Sequence, residues 1–409
     1  MNFKVLALAL LCAIYAYQLC LRAIEWKSFS NPIPENVSDI YDAETYARWR
    51  RYSAEKHKWS LLRSLVGFAA LFILILTNAY AAFAGLFGQN IYSCAFAVAL
   101  LSVLTDTLLG CPFDYIDTMV VEQKYGFNNT TKKTFIADEI KQFIISLLIT
   151  VGLTMLLASL HRWLGDYLVL AFAVVLFVII MLISCLFPFL SKVFNKFTPL
   201  DEGELKQKLS ALLEKNGYKV RAIQIMDASR RSNKSNAYFT GFGKTKTIVL
   251  YDTLVNSSTP DEICAVFAHE MGHGLHKDTL KNQIMSFIQT ALIAVAAYLT
   301  VKYPQIYRSF GFEGVNYGFA LILVMEIEMS VIAPLLNLFT AWRSRKAEYR
   351  ADAQAASEGY GEALISALKK LAKQNYAHLA PSPIIVKLQY DHPTLSQRIE
   401  ALDKLKDKN

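Results

Sequence analysis

The chain has 409 residues, of which 54% are hydrophobic, 12% aromatic and only 19% charged, with a net charge of +8. Soluble domains carry about 25% charged residues, so this balance points to a polytopic membrane protein and excludes a disordered tail protein or a small disulfide scaffold. In such a chain surplus Lys and Arg mark cytoplasmic loops, and no nucleic-acid partner is expected.

A bilayer crossing needs roughly 20 mostly apolar residues. In chain order the candidates are 3–21, 61–87, 91–110, 143–160, 167–190, 285–301 and 317–341, which predicts seven transmembrane helices. The first, with Asn2-Phe3-Lys4 ahead of a short apolar core, also has the form of a signal peptide. Loop charge favours a retained helix. Segments 22–63 and 111–142 hold twelve Lys and Arg between them, against four in 1–4, 88–90, 161–166 and 302–316. The positive-inside rule then puts the N-terminus outside or lumenal and the C-terminus in the cytoplasm. The aromatic-rich 26–59 loop reads equally as an interfacial anchor or a plain connection.

Two polar stretches remain, 191–284 and 342–409, both on the cytoplasmic side. They predict one compact domain divided by the last two spans. The expected organisation is five spans in 1–190, the first part of the domain in 191–284, spans six and seven in 285–341, and the second part in 342–409. Within it 219–226 and 247–251 read as strands, and 201–216 and 260–277 have helical periodicity. Cys12, Cys20, Cys94 and Cys185 lie inside apolar runs, with Cys111 and Cys264 beside them. No CxxC pair occurs, so the cysteines read as small buried hydrophobes.

The sharpest chemical signal is Val266-Phe267-Ala268-His269-Glu270-Met271-Gly272-His273-Gly274-Leu275. Residues four apart share a helix face, so His269 and His273 can present two imidazoles to one zinc ion, with Glu270 placed to take a proton from an activated water. Taken alone, the same five-residue pattern also arises in ordinary helices. Zinc needs a third protein ligand, and Ser344-Arg345-Lys346-Ala347-Glu348-Tyr349-Arg350-Ala351-Asp352 offers two carboxylates four apart. Either Glu348 or Asp352 can bind the metal while the other holds a ligand histidine by its second ring nitrogen. By itself this stretch reads as a charged helix leaving the membrane.

With these motifs the sequence resembles the integral-membrane zinc CAAX prenyl proteases, type I, of the gluzincin group. Other blocks carry the likeness in order: Pro112-Phe113-Asp114-Tyr115, Glu122-Gln123-Lys124-Tyr125-Gly126-Phe127-Asn128 and Phe194-Asn195-Lys196-Phe197-Thr198-Pro199-Leu200. They continue with Ser235-Asn236-Ala237-Tyr238-Phe239-Thr240-Gly241-Phe242, Ile248-Val249-Leu250-Tyr251-Asp252-Thr253-Leu254 and Asp391-His392-Pro393-Thr394-Leu395-Ser396-Gln397-Arg398-Ile399. The resemblance implies seven helices around an intramembrane chamber, joined to a mostly helical zinc metalloprotease domain with a small β-sheet. It implies His269, His273 and Glu348 as ligands of one zinc ion, Glu270 as general base, and Asp352 behind the first histidine. His392 and Arg398 would stabilise the oxyanion, and Asn236 and Ala237 would pair with substrate as an added strand. Without the resemblance those last two residues read as a turn.

Spacing also places the site. His273 lies eleven residues before Ile284, about 16 Å if the helix continues, and Glu348 follows Trp342 by six. The metal is thus expected close to the cytoplasmic membrane face, where a lipid-bearing substrate can reach it. Asp106, Glu326 and Glu328 inside spans are costly against lipid and are expected to face a cavity or one another. Glu326 and Glu328 are about 200° apart around a helix and cannot face the same way.

The expected partners are a peptide or protein substrate, isoprenylated by resemblance, and membrane lipid. The final residues Lys404-Leu405-Lys406-Asp407-Lys408-Asn409 have neither dilysine spacing nor a KDEL-type ending, which leaves both the bacterial inner membrane and the ER open. A broad quality-control metalloprotease, and a channel or scaffold with a relic metal site, are the alternative readings.

Overall fold

The computed structural model describes residues 2–240 and 247–406, so Gly241 and Phe242, the end of one motif block, lie outside the described residues. Among the described residues six helical stretches are long and apolar enough to cross a bilayer: Phe3–Ser28, Ala43–Leu76, Ile91–Tyr125, Lys132–Phe187, Asp278–Lys302 and Tyr317–Ser357. The fourth holds two α-helices, joined by the 3-10 turn Gly165–Tyr167. Gly165 begins that turn at φ 52, a left-handed value that glycine adopts freely. Large apolar side chains such as Leu108, Leu148, Leu170, Leu182 and Leu335 are exposed on these helices. Apolar surface on that scale requires a lipid surrounding, which makes this an integral multi-pass membrane protein.

The helices used below are α1 (Phe3–Ser28), α2 (Ala43–Leu76), α3 (Ile91–Tyr115), α4 (Lys132–Leu164), α5 (Leu168–Leu190), α6 (Glu204–Lys215), α7 (Pro260–Leu275), α8 (Asp278–Lys302), α9 (Met329–Ser357), α10 (Gly361–Gln374), α11 (Pro383–Gln389) and α12 (Leu395–Lys406). α2 departs from its expected bounds of 61–87. It starts eighteen residues earlier, N-capped by Asp42, whose side chain accepts from Thr45 N. It ends at Leu76 because Asn78 takes φ 59, a left-handed value that Asn tolerates. The expected 22–60 loop is therefore mostly helix. Trp49 on it is buried with Val37, Ile40, Tyr41, Leu379 and Ile399, so this region packs onto the C-terminal helices.

Two helical stretches widen into π-helix, at Ile116–Glu122 after α3 and Leu323–Glu328 before α9. The second carries both intramembrane glutamates, and they do diverge. Glu328 accepts from Thr300 Oγ1 of α8 at 2.7 Å, whereas Glu326 lines a cavity of about 480 Å³ together with Asp106. A second cavity of about 470 Å³ shares Arg22, Ser60 and Arg63 with the first.

Outside the spanning helices, β1 (Phe197–Pro199), β2 (Ala222–Met226), β3 (Ala237–Thr240) and β4 (Thr247–Tyr251) form a sheet in the order β1-β2-β4-β3. β2 and β4 run parallel, with Ile223 opposite Ile248, and the outer strands are antiparallel. α6, α7 and α10 cover one face through Leu209, Leu212, Phe267, Met271 and Leu364, packed on Ile248 and Leu250. Of the cysteines only Cys264 is buried; Cys12, Cys20 and Cys185 are exposed on helices whose outer faces meet lipid, and all six are free.

Candidate active site

α7 begins with a closed capping box: the Thr259 hydroxyl accepts from Glu262 N, and the Glu262 carboxylate accepts from Thr259 N. Pro260 at the first helical position adds a preset φ. The helix lies between sheet and α9, so all residues from Glu262 to His269 are buried. Its contact with α9 is close. A Cβ added at Gly272 would lie 3.0 Å from Ala351 Cα and 3.3 Å from Ala351 O. Glycine here lets two backbones approach, and Ala347, Ala351 and Ala355 give α9 a matching small-residue stripe.

That approach brings the ligand candidates together. One ligand atom each from His269, His273 and Glu348 lies within 4.8 Å of the others. Glu348 Oε2 is 3.5 Å from His269 Nε2, and Oε1 is 3.1 Å from His273 Nε2. Glu348 is 4% exposed, and its Oε2 has no hydrogen-bond partner. A buried carboxylate oxygen without a donor is costly, and a cation between these three atoms would satisfy it.

The far ring nitrogens are held from behind. Asp352 Oδ1 lies 2.8 Å from His269 Nδ1, and Asp278 Oδ2 lies 3.2 Å from His273 Nδ1. Such carboxylates fix the tautomer and leave each Nε2 free to ligate. Glu348 thus faces both Nε2 atoms, whereas Asp352 stands behind a ring. Arg398 is buried and bidentate to Asp352, Nε to Oδ2 at 2.9 Å and Nη2 to Oδ1 at 2.6 Å. Its Nη1 is 3.4 Å from Glu348 Oε2.

His392 stands on the open side. Its side chain is 55% exposed, with Nε2 3.4 Å from Glu348 Oε1 and Nδ1 2.7 Å from Asp391. The Asp391 carboxylate holds the imidazole above its ordinary value, partly opposed by burial. For Glu270 desolvation is the largest influence and pushes its carboxyl up, against the lowering effect of His269 and His273. Asn236 is exposed at the entrance to β3, whose outer edge has no strand partner among the described residues. Tyr251 N donates to Asn236 O, so Asn236 and Tyr238 pair with β4, while Ala237 and Phe239 turn their backbone polar groups to the open edge.

The chain matches known proteins over most of its length. Residues 24–196 match the family description "CAAX prenyl protease N-terminal, five membrane helices", and residues 199–406 match "Peptidase family M48". The chain belongs to peptidase family M48. It is 32% identical to the protein named CAAX prenyl protease 1 of Saccharomyces cerevisiae, covering 92% of this chain and 89% of that one. It is 27% identical to the CAAX prenyl protease 1 homolog of Homo sapiens, covering 91% and 89%. The crystal structure of S. mikatae Ste24p superposes with a TM-score of 0.92 at 29% identity, covering 98% of this chain and 99% of that one. This M48 chain is accordingly a membrane metalloendopeptidase.

Asp278 and Arg350 escape a reading of the sequence. The helix was expected to run on through 277, but Lys277 takes φ 57 and breaks it. Neither glycine nor asparagine marks the break. Its result is that Asp278 turns back on His273 and is itself bound by Arg350 at 2.9 Å and Lys281 at 3.2 Å.

Proposed function

We propose that this chain is a zinc endopeptidase that cuts isoprenylated CaaX peptides after the modified cysteine, at the cytoplasmic face of its membrane. The observation that carries the metal is the buried Glu348 carboxylate, whose Oε2 lacks a hydrogen-bond partner and whose two oxygens each face one of the two oriented imidazoles. Two nitrogens and one oxygen with an open fourth position are a catalytic zinc donor set. Bound by His269, His273 and Glu348, one zinc ion would supply Lewis acidity to a carbonyl and to water.

The chain's own groups do the rest. Glu270 takes the proton as water adds to the scissile carbonyl carbon, and later delivers it to the departing amine nitrogen as the C–N bond breaks. His392, exposed and tuned toward its cation by Asp391, donates to the developing oxyanion. Arg398 acts on the same charge from behind, through Asp352 and Glu348. The open edge that Ala237 and Phe239 present, with the Asn236 side chain beside it, takes the substrate as an added antiparallel strand.

Seven crossings account for the helices best. The Lys132–Phe187 stretch spans 56 residues, about 84 Å if straight and far more than one bilayer, so α4 and α5 fold back at Gly165. The loop charges then keep the catalytic residues cytoplasmic. The cavities at Asp106, Glu326 and Arg63 adjoin at Arg22, Ser60 and Arg63 and together make a chamber between the helices that admits an isoprenyl chain.

Detergent-purified protein, assayed with a farnesylated CaaX peptide beside its unprenylated twin, tests this reading. The expected result is about one zinc per chain and chelator-sensitive cleavage that favours the lipidated peptide and is lost in Glu270→Ala. Equal cleavage of the twins would move the function to membrane quality control. Undiminished cleavage by Glu270→Ala would sink the mechanism.

A further inference from the structure

We propose that an ion pair between the membrane helices and the loop before β3, Glu122 with Lys234, holds the substrate strand in its working position. Lys234 lies two residues before Asn236, and its ammonium donates to Glu122 Oε1 at 3.1 Å and to the Tyr52 hydroxyl at 3.0 Å. The Tyr52 hydroxyl donates to the same Glu122 oxygen at 2.6 Å, and Lys56 reaches it at 2.9 Å. Lys234 also stands over the rings of Phe127 and Tyr52, 4.8 and 5.5 Å from their centroids. The Glu122 side chain is 13% exposed and that of Lys234 34%, so the pair is partly shielded from water, more than a fully exposed surface pair.

The neighbouring backbone is tied in the same direction. Asn233 N donates to Phe127 O at 3.0 Å, Asn129 N donates to Arg231 O at 2.9 Å, and Asn128 bridges Ser232. Asn375, at the end of α10, receives Ser235 N and donates to Ser235 O, both at 3.0 Å. Arg231, earlier in the loop, is bound to Asp138 of α4 with Nε 3.0 Å from Oδ2, and Lys234 is the charged anchor nearest Asn236. The Glu122–Asn128 motif, which the catalytic chemistry does not use, thereby acquires a role. Glu122 and Lys234 are positioning residues, since they touch neither substrate nor metal.

The inference rests on β3 being the substrate strand. A strand edge that is in place only a fraction of the time weakens apparent substrate affinity by that fraction, while turnover of the bound complex is kept. Lys234→Met keeps the stem between Tyr52 and Phe127 and removes the charge; Glu122→Gln removes it from the other side. Each is expected to raise KM for a CaaX peptide about tenfold, the worth of roughly one hydrogen bond, and to leave kcat within about twofold. Zinc content and melting temperature in detergent are expected to stay near those of the parent. Lys234→Arg, which keeps the cation, is expected to restore KM. General misfolding would instead lower kcat and zinc content at constant KM, and that result would overturn the proposal.

A peptide series with single backbone N-methyl groups separates this from the strand reading. If no N-methyl group raises KM in the parent enzyme, substrate does not pair with β3 and both ideas fall. If N-methylation acts in the parent and Lys234→Met has an unchanged KM, the clamp alone is refuted.

Discussion

Asp278 Oδ2 lies 3.2 Å from Nδ1 of His273, five residues back across a break in the helix. It matches the Asp352–His269 contact at 2.8 Å, so each imidazole that faces Glu348 has a carboxylate behind it. The two supports differ in construction. Asp352 comes from α9 and is neutralised by Arg398, whereas Asp278 opens α8, where the helix dipole also favours an anion.

Removing that support has a defined consequence. Asp278→Ala is expected to weaken zinc binding about 10- to 100-fold, because His273 loses the partner that fixes its tautomer and ring angle. Competition with a fluorescent chelator measures it, and an unchanged affinity would show that His273 is oriented by its helix alone.

The close approach of α7 and α9 makes Gly272 sensitive to one methyl group. In Gly272→Ala the new Cβ would meet Ala351 Cα at 3.0 Å and Gln354 Cβ at 3.1 Å, and backbone on one side leaves little room to yield. The expected cost is about 1–3 kcal/mol of stability, with weaker zinc binding as the helices carrying His269 and Glu348 separate. A melting curve and metal content on the same preparation check it. Loss of stability with full zinc affinity would mean that the strain is relieved away from the metal.

Sequence and structure part at identifiable residues. Helical spacing alone places His269 and His273 on one face, and Glu348 and Asp352 on another, because covalent geometry sets that period. Which carboxylate faces the two imidazoles depends on the packing of α7 against α9, a contact that no local pattern records. The break at Lys277 is equally hidden, since a lysine at φ 57 carries none of the usual turn chemistry. The early start of α2 was obscured by its polar half, which looks like loop until Trp49 is seen buried against Leu379 and Ile399. Asn236 and Ala237 read as a turn in isolation because β3, an edge strand of four residues, takes its pairing from β4 and not from its own alternation.

Arg398 carries a prediction about the buried cluster. Arg398→Met leaves the Asp352 carboxylate without its bidentate partner, and stranding a buried charge costs about 3–5 kcal/mol. Combining it with Asp352→Asn is expected to cost clearly less than the two single changes added together. Strict additivity in thermal unfolding would mean that the two side chains do not share their energy.

Glu262, at the start of α7, carries a pH dependence of its own. One oxygen accepts from Ser366 Oγ at 2.6 Å; the other accepts from Lys370 Nζ at 2.6 Å and Thr259 N at 2.8 Å. Burial alone would raise this carboxyl, but the Lys370, Ser366 and Thr259 contacts outweigh it and the net direction is downward. A carboxylate whose folded value lies below its unfolded value, about 4.3, stabilises fully above that value. The contribution is lost as the pH falls through the lower, folded value. Glu262→Gln is therefore expected to cost about 1–2 kcal/mol at neutral pH, in the range of a lost helix cap and buried hydrogen bonds. The gap in melting temperature between parent and variant should narrow once the pH drops below about 4. A gap that stays constant down to pH 3, roughly one unit below the unfolded value, would show that the charge of Glu262 adds nothing beyond its hydrogen-bonding shape.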